Sequence, residues 1–227
     1  MFSVEDRERA QARMLALQEE DQRVVAGRLV GSLAGGGGDR FSDLDLTFAV
    51  LDGVDLTHVL EDWTRVVESE LGGIQLFDLP SGSSIYRVFL LPGCLQFDLS
   101  FTPAADFDAP RPGPPDAEVL FGYGVHHALR ARFALERGRI WLAEYWTSAV
   151  RDYALQLACR RRGLPVAYGR GFDDLPVDVL APFADAVVRS VERGEILRAL
   201  RCAVDGLLRE GGELSEVRVL VEADTLP

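Results

Sequence analysis

Residues 103–116, PAADFDAPRPGPPD, divide this 227-residue chain: they hold five of its eleven prolines and carry no periodic apolar pattern. Proline fixes φ and removes a backbone donor, so neither a helix nor a central strand runs through such a stretch. The patterns on its two sides differ. Before it, DLTFAVL (45–51), IQLFDL (74–79), SIYRVFLL (84–91) and CLQFDLSF (94–101) read as strands, whereas Glu5 to about Val25 and Leu56–Leu71 have helical spacing. Pro92-Gly93 suits the two central positions of a type II turn, which predicts a tight hairpin of the last two strands. After it, Glu118–Arg137, Arg139–Arg162, Val177–Arg193 and Glu195–Arg209 are long, apolar on one face and bounded by Gly or Pro, as in a helical bundle. The expected division is an α/β domain over 1–104, a linker over 105–116 and a helical domain over 117–227.

The charged residues exclude whole classes of chemistry. All 24 basic residues are arginine, and the chain has neither Lys nor Asn. A Walker A loop, a kinase-type phosphate lysine and a pyridoxal or nucleotidyl-lysine nucleophile are therefore absent. The net charge is −12, and residues 1–102 carry most of it, with 8 Arg against 17 acids. Duplex binding needs a basic face that neutralises phosphates, so no nucleic acid partner is expected. A metal, a metal-bound nucleotide or a cationic small molecule matches the charge better. No apolar run approaches the ~20 residues of a membrane span, and the N-terminus opens on alternating charges, so a cytoplasmic protein without membrane attachment is expected. Cys94, Cys159 and Cys202 lack CxxC spacing and lie among apolar residues, which reads as reduced core thiols.

The chemistry concentrates in residues 29–46, LVGSLAGGGGDRFSDLDL. Strand alternation sends Leu44, Leu46, Phe48 and Val50 into the core and puts Asp43, Asp45 and Thr47 on the other face. Adjacent carboxylates both stay ionised only with a cation between them, and their hard oxygens suit Mg²⁺. In CLQFDLSF the same alternation turns Gln96, Asp98 and Ser100 away from the core, so Asp98 can complete a three-carboxylate metal site. Three acids around divalent ions suit in-line phosphoryl or nucleotidyl transfer. Upstream, Gly31 and Ser32 with Gly35–Gly38 offer backbone close to a phosphate, and Ser32 adds a hydroxyl.

At these residues the chain resembles the nucleotidyltransferase superfamily of DNA polymerase beta and the antibiotic nucleotidyltransferases. Val30-Gly31-Ser32 is followed by ten residues and then Asp43-Leu44-Asp45-Leu46, with Asp98 in a later apolar strand. The resemblance implies a mixed β-sheet flanked by helices, then an all-helical C-terminal bundle like that of the aminoglycoside and lincosamide enzymes. It implies Mg²⁺ and a nucleoside triphosphate, ATP foremost, as donor; Asp43, Asp45 and Asp98 as metal ligands; and Gly31 and Ser32 on the β and γ phosphates. The basic residue that many relatives carry after Gly-Ser is missing, and Arg40, Arg87 or an arginine of the helical half can substitute. The implied acceptor is a hydroxyl of a small molecule such as an aminoglycoside, hence antibiotic resistance. The alternatives are a protein-modifying nucleotidyltransferase of toxin or antitoxin type and a catalytically silent nucleotide-binding or interaction module. A homodimer is one option for the assembly.

In the second predicted helix of the bundle, Glu144, Ser148, Arg151 and Asp152 share one face, with Trp141, Tyr145 and Trp146 near its start. Glu144 is the candidate general base on the acceptor, as the resemblance implies for a helical-domain glutamate; an ion pair of Glu144 or Asp152 with Arg151 is the structural alternative. Adjacent His126 and His127 diverge by ~100° on a helix and read as surface or packing residues. Trp63 reads as core, and Asp173 or Asp174 as a helix cap.

Overall fold

The computed structural model describes residues 1–36, 38–110 and 113–212. The chain divides into two compact units, residues 1–111 and 112–227. The first unit runs α1 (Val4–Glu20), β1 (Val24–Leu29), α2 (Gly31–Ala34), β2 (Leu44–Val50), α3 (Leu56–Leu71), β3 (Ile74–Ser81), β4 (Ser84–Leu91) and β5 (Leu95–Pro103). The five strands form one mixed sheet in the order β1-β2-β5-β4-β3, in which β2 and β5 are parallel and the other pairs antiparallel. Leu44, Leu46, Phe48, Leu95, Phe97, Leu99 and Phe101 pack in one core with Ala10 and Met14 of α1 and Val59, Leu60, Trp63 and Val67 of α3. Both long helices thus cover one face of the sheet. Trp63 is core, with its ring edge-on to Phe48 at 4.7 Å.

Local chemistry sets the helix ends. Ser3 caps α1 in a capping box with Asp6, Asp55 accepts from the Thr57 N–H at 2.8 Å to start α3, and Gly72 at φ 64° ends it. The helix expected to reach Val25 stops at Glu20, and the strand β1 that follows was not anticipated. Asp21 makes the break: it accepts from the Arg23 backbone N–H, the Arg23 guanidinium and Trp63 Nε1. These bonds, Arg23 first, hold its carboxyl down at about 2. Gly27 in β1 lies flush on Phe48, where a Cβ would come within 2.4 Å of the ring.

The β4–β5 hairpin forms with Leu91 opposite Leu95, so three residues make the turn instead of two. Gly93 has the expected positive φ of 77°, but Cys94 also takes φ 65° and is exposed, which corrects its reading as a core thiol. Cys159 is buried and Cys202 half-buried.

The second unit comprises α4 (Ala117–Glu136), α5 (Ile140–Arg161), α6 (Val177–Leu180) and α7 (Arg193–Gly211), with 3-10 turns at Ala167–Gly169 and Ala181–Ala186. Its core interleaves Ala128, Ala131, Ala134, Ala154, Ala158 and Ala203 with Leu135, Val150, Leu157, Leu200 and Leu207, so the helices approach closely. The helix expected over Val177–Arg193 is instead one turn of α6 and a 3-10 segment. Pro182 has no N–H to close the next helical bond, and its ring displaces the preceding turn. Asp173 and Asp174 do not cap it either, because Pro176 holds the cap position without a side-chain bond. Among the described residues no helix is long and apolar enough to cross a membrane.

Candidate functional site

The far face of the sheet collects the acids. In the parallel β2–β5 register Asp45 stands opposite Asp98 and Thr47 opposite Ser100. Thr47 and Ser100 are buried, 3% and 1% exposed, whereas Asp43, Asp45 and Asp98 are half-buried. The carboxylates thus sit at the accessible end of a strand pair whose inner end is closed by small hydroxyl side chains. Asp98 accepts from Gln96 Nε2 at 3.1 Å. Burial and then the neighbouring charge of Asp43 push its carboxyl above the ordinary 3.8, partly offset by the Gln96 bond. That influence ties Asp43, the residue before β2, electrostatically to Asp98.

Gly31 joins β1 to the one-turn α2 and completes this corner. Val30 N–H donates to the Asp45 carbonyl at 3.0 Å, and Gly31 follows at φ +70°. A Cβ at Gly31 would lie 1.9 Å from Asp45 Oδ2. Only glycine fits, for both conformation and space. Ser32 is exposed in α2, and the exposed Arg40 lays its guanidinium over the Phe41 ring at 4.1 Å. Of Gly35–Gly38, position 37 lies outside the described residues; Gly38 is flush against Leu33.

Among the described residues no three His, Cys, Asp or Glu side chains converge into a finished metal cage. The donor chemistry nevertheless suits a hard divalent cation: Asp45 and Asp98 are register partners, and Asp43 acts on Asp98 through space. Like charges side by side on β2 and β5 repel, and they draw together only around a cation.

Arg87 does not belong to this face. It lies opposite Leu99, on the helix-covered side, where its guanidinium donates to both oxygens of Asp78 at 2.7 Å and to Thr64 at 2.8 Å. Alternation puts it one residue away from the Asp98 side, so it is not available to a phosphate there. The arginine holds the Asp78 carboxyl below its ordinary value.

Glu144 lies in the second unit on α5, where Ser148 Oγ donates to it at 2.9 Å; the predicted ion pair forms between Arg151 and Asp152 instead, at 2.7 Å. His127 is a packing residue, stacked on Trp146 at 4.6 Å and Tyr153 at 5.2 Å, and burial lowers its pKa. His126 is exposed and accepts from Arg130 Nε.

Sequence reasoning missed one residue that acts on this corner. Arg7 shares the buried face of α1 with Ala10 and Met14 and donates to the carbonyls of Asp39 and Ser42, both at 2.8 Å. The legible signal was its place on the apolar stripe, at i, i+3 and i+7 with those two residues.

No protein family matches the chain, and no curated protein does. Among solved structures it is similar to an aminoglycoside 6-adenyltransferase from Bacillus subtilis, at 12% identity over 94% of this chain and 89% of that chain, with a TM-score of 0.35.

Proposed function

We propose that this chain is a nucleotidyltransferase that moves a nucleoside monophosphate, AMP from ATP, onto a hydroxyl of a small acceptor. The observation that carries the reading is the pairing of Asp45 with Asp98 across parallel β2 and β5, with the Gly31 backbone against the Asp45 carboxylate. Asp43, Asp45 and Asp98 hold a divalent cation, Mg²⁺, which when bound offsets the triphosphate's charge and the charge developing at the reacting phosphorus.

The residues of the chain divide the remaining work. Gly31 lets backbone approach the β and γ phosphates without a side chain between, and Ser32 adds its hydroxyl. The exposed Arg40 is the proposed cation for the γ phosphate. The acceptor oxygen attacks the α phosphorus, the bond to the bridging oxygen breaks, and pyrophosphate leaves. Glu144 is the proposed general base for the acceptor proton. Glu144 suits the role because it pairs with no cation among the described residues and accepts one bond, from Ser148, leaving lone pairs for a hydroxyl. A net charge of −12 favours a polycationic acceptor of the aminoglycoside kind.

Incubation with ATP labelled at the α phosphate, Mg²⁺ and a panel of aminoglycosides tests the proposal. Label on an aminoglycoside with stoichiometric pyrophosphate supports it. Label on a lysate protein instead moves the acceptor to a protein hydroxyl, and label on nothing, with no pyrophosphate released, overturns nucleotidyl transfer.

A further inference from the structure

Arg7 is a charged residue in an apolar position. It is 7% exposed, on the face of α1 that carries Ala10 and Met14 into the core. It ion-pairs with no carboxylate among the described residues; its Nη1 instead donates to the carbonyls of Asp39 and Ser42, both at 2.8 Å. Taking a guanidinium out of water is costly, and an apolar side chain at this place would serve the packing of α1 better. What the charge does is hold two points of another segment.

That segment is the turn that delivers Asp43 to β2. Asp39 Oδ1 accepts from the Phe41 N–H at 2.8 Å, and Ser42 Oγ accepts from the Asp39 N–H at 2.9 Å. Upstream, Gly38 is flush against Leu33, where a Cβ would come within 2.3 Å of Cδ2. Residues 38–42 are therefore held by Leu33 of α2 at one end and by Arg7 at the other, one residue before Asp43. A guanidinium offers its donors in a rigid fork and spans two carbonyls more firmly than a neutral group can.

We infer that Arg7 is a positioning residue: it anchors the 39–42 turn to α1 and thereby sets where the Asp43 carboxylate stands beside Asp98. The inference rests on the proposed reading of Asp43, Asp45 and Asp98 as ligands of a divalent cation.

The test uses the full chain with two readouts that need no turnover. The first is the rate of trypsin cleavage after the exposed Arg40, inside the anchored turn; the second is Mn²⁺ binding, followed by the paramagnetic resonance of the free ion. Arg7→Met should raise cleavage after Arg40 roughly tenfold, because the turn opens more often, and weaken Mn²⁺ by a similar factor. Arg7→Lys keeps the charge, folds if Arg7→Met does not, and should fall between wild type and Arg7→Met in both. Met14→Ala loosens the same face of α1 without touching the turn and should leave both close to wild type. Unchanged cleavage and Mn²⁺ affinity in the Arg7 variants overturn the inference, as do equal changes in Met14→Ala. Asp45→Asn separates the two levels: Mn²⁺ binding at wild-type strength in that variant overturns the carboxylate reading itself, and the role of Arg7 with it.

Discussion

Glu210 and Asp98 are two shielded acids treated in opposite ways. In the helical unit Glu210, 7% exposed, is flanked by Arg162 at 3.3 Å and Arg161 at 3.8 Å. In the sheet unit Asp98 accepts from a neutral glutamine and lies within the field of another carboxylate. The pattern extends beyond these two residues. Arg160 reaches Asp116, Arg151 reaches Asp152 and Arg198 reaches Glu195 around the bundle, while Asp45 and Asp98 stand opposite each other across β2 and β5. Pairing a buried acid with a cation serves the fold; grouping acids together costs stability and makes sense where a cationic ligand completes the group.

The sharpest way to break this contrast is Asp45→Asn. It should lower nucleotidyl transfer by roughly 10³-fold or more while the chain keeps a cooperative melting transition. Assay and calorimetry on one preparation check both halves, and wild-type turnover would sink the site. Glu144→Gln keeps the bond from Ser148 but cannot take a proton, so kcat should fall on the order of 10² to 10⁴ with nucleotide affinity unchanged. An unchanged kcat removes Glu144 from the chemistry.

Two glycines carry the comparison into packing. Gly31→Ala forces a methyl group onto Asp45 Oδ2 at a positive φ, so activity should drop about tenfold or more through a displaced carboxylate. Gly124→Ala in α4 meets Leu207 at 2.5 Å and should cost about 1 to 3 kcal/mol of stability, with the folded fraction as active as before. Chemical denaturation alongside turnover separates the two outcomes.

The smallest effect is a pH dependence in the sheet unit. The folded-state pKa of Asp21 is lowered from 3.8 to about 2, so its network stabilises the fold above pH 3.8 and loses that contribution as pH falls toward 2. The loss should be on the order of 1 to 2 kcal/mol, reduced by the partial exposure of Arg23, and Asp21→Asn should flatten it. Trp63, whose ring N–H donates to Asp21, reports the transition by fluorescence.

Much of this site was readable beforehand because its determinants are local. Alternation alone put Asp45 and Asp98 away from Leu44, Leu46, Phe97 and Leu99, and Gly31-Ser32 stood at a fixed distance from Asp43. The same local reasoning failed where neighbours intervene. Arg87 looked like a free cation in a strand, but Asp78 on β3 and Thr64 on α3 claim it. The helix expected to Val25 gave way to β1 because Asp21 found Trp63, which is 42 residues away in sequence.

From the sequence alone came four of the five strands and the opposed faces of β2 and β5, since each depends on a period of two residues and on backbone chemistry within a few positions. The tertiary structure alone decided that β5 crosses to lie parallel beside β2, that Asp98 therefore stands opposite Asp45, and that Arg7 of α1 holds the turn leading to Asp43. Strand order and register are chosen by which distant apolar faces bury one another, and that choice leaves no periodic trace in any one segment.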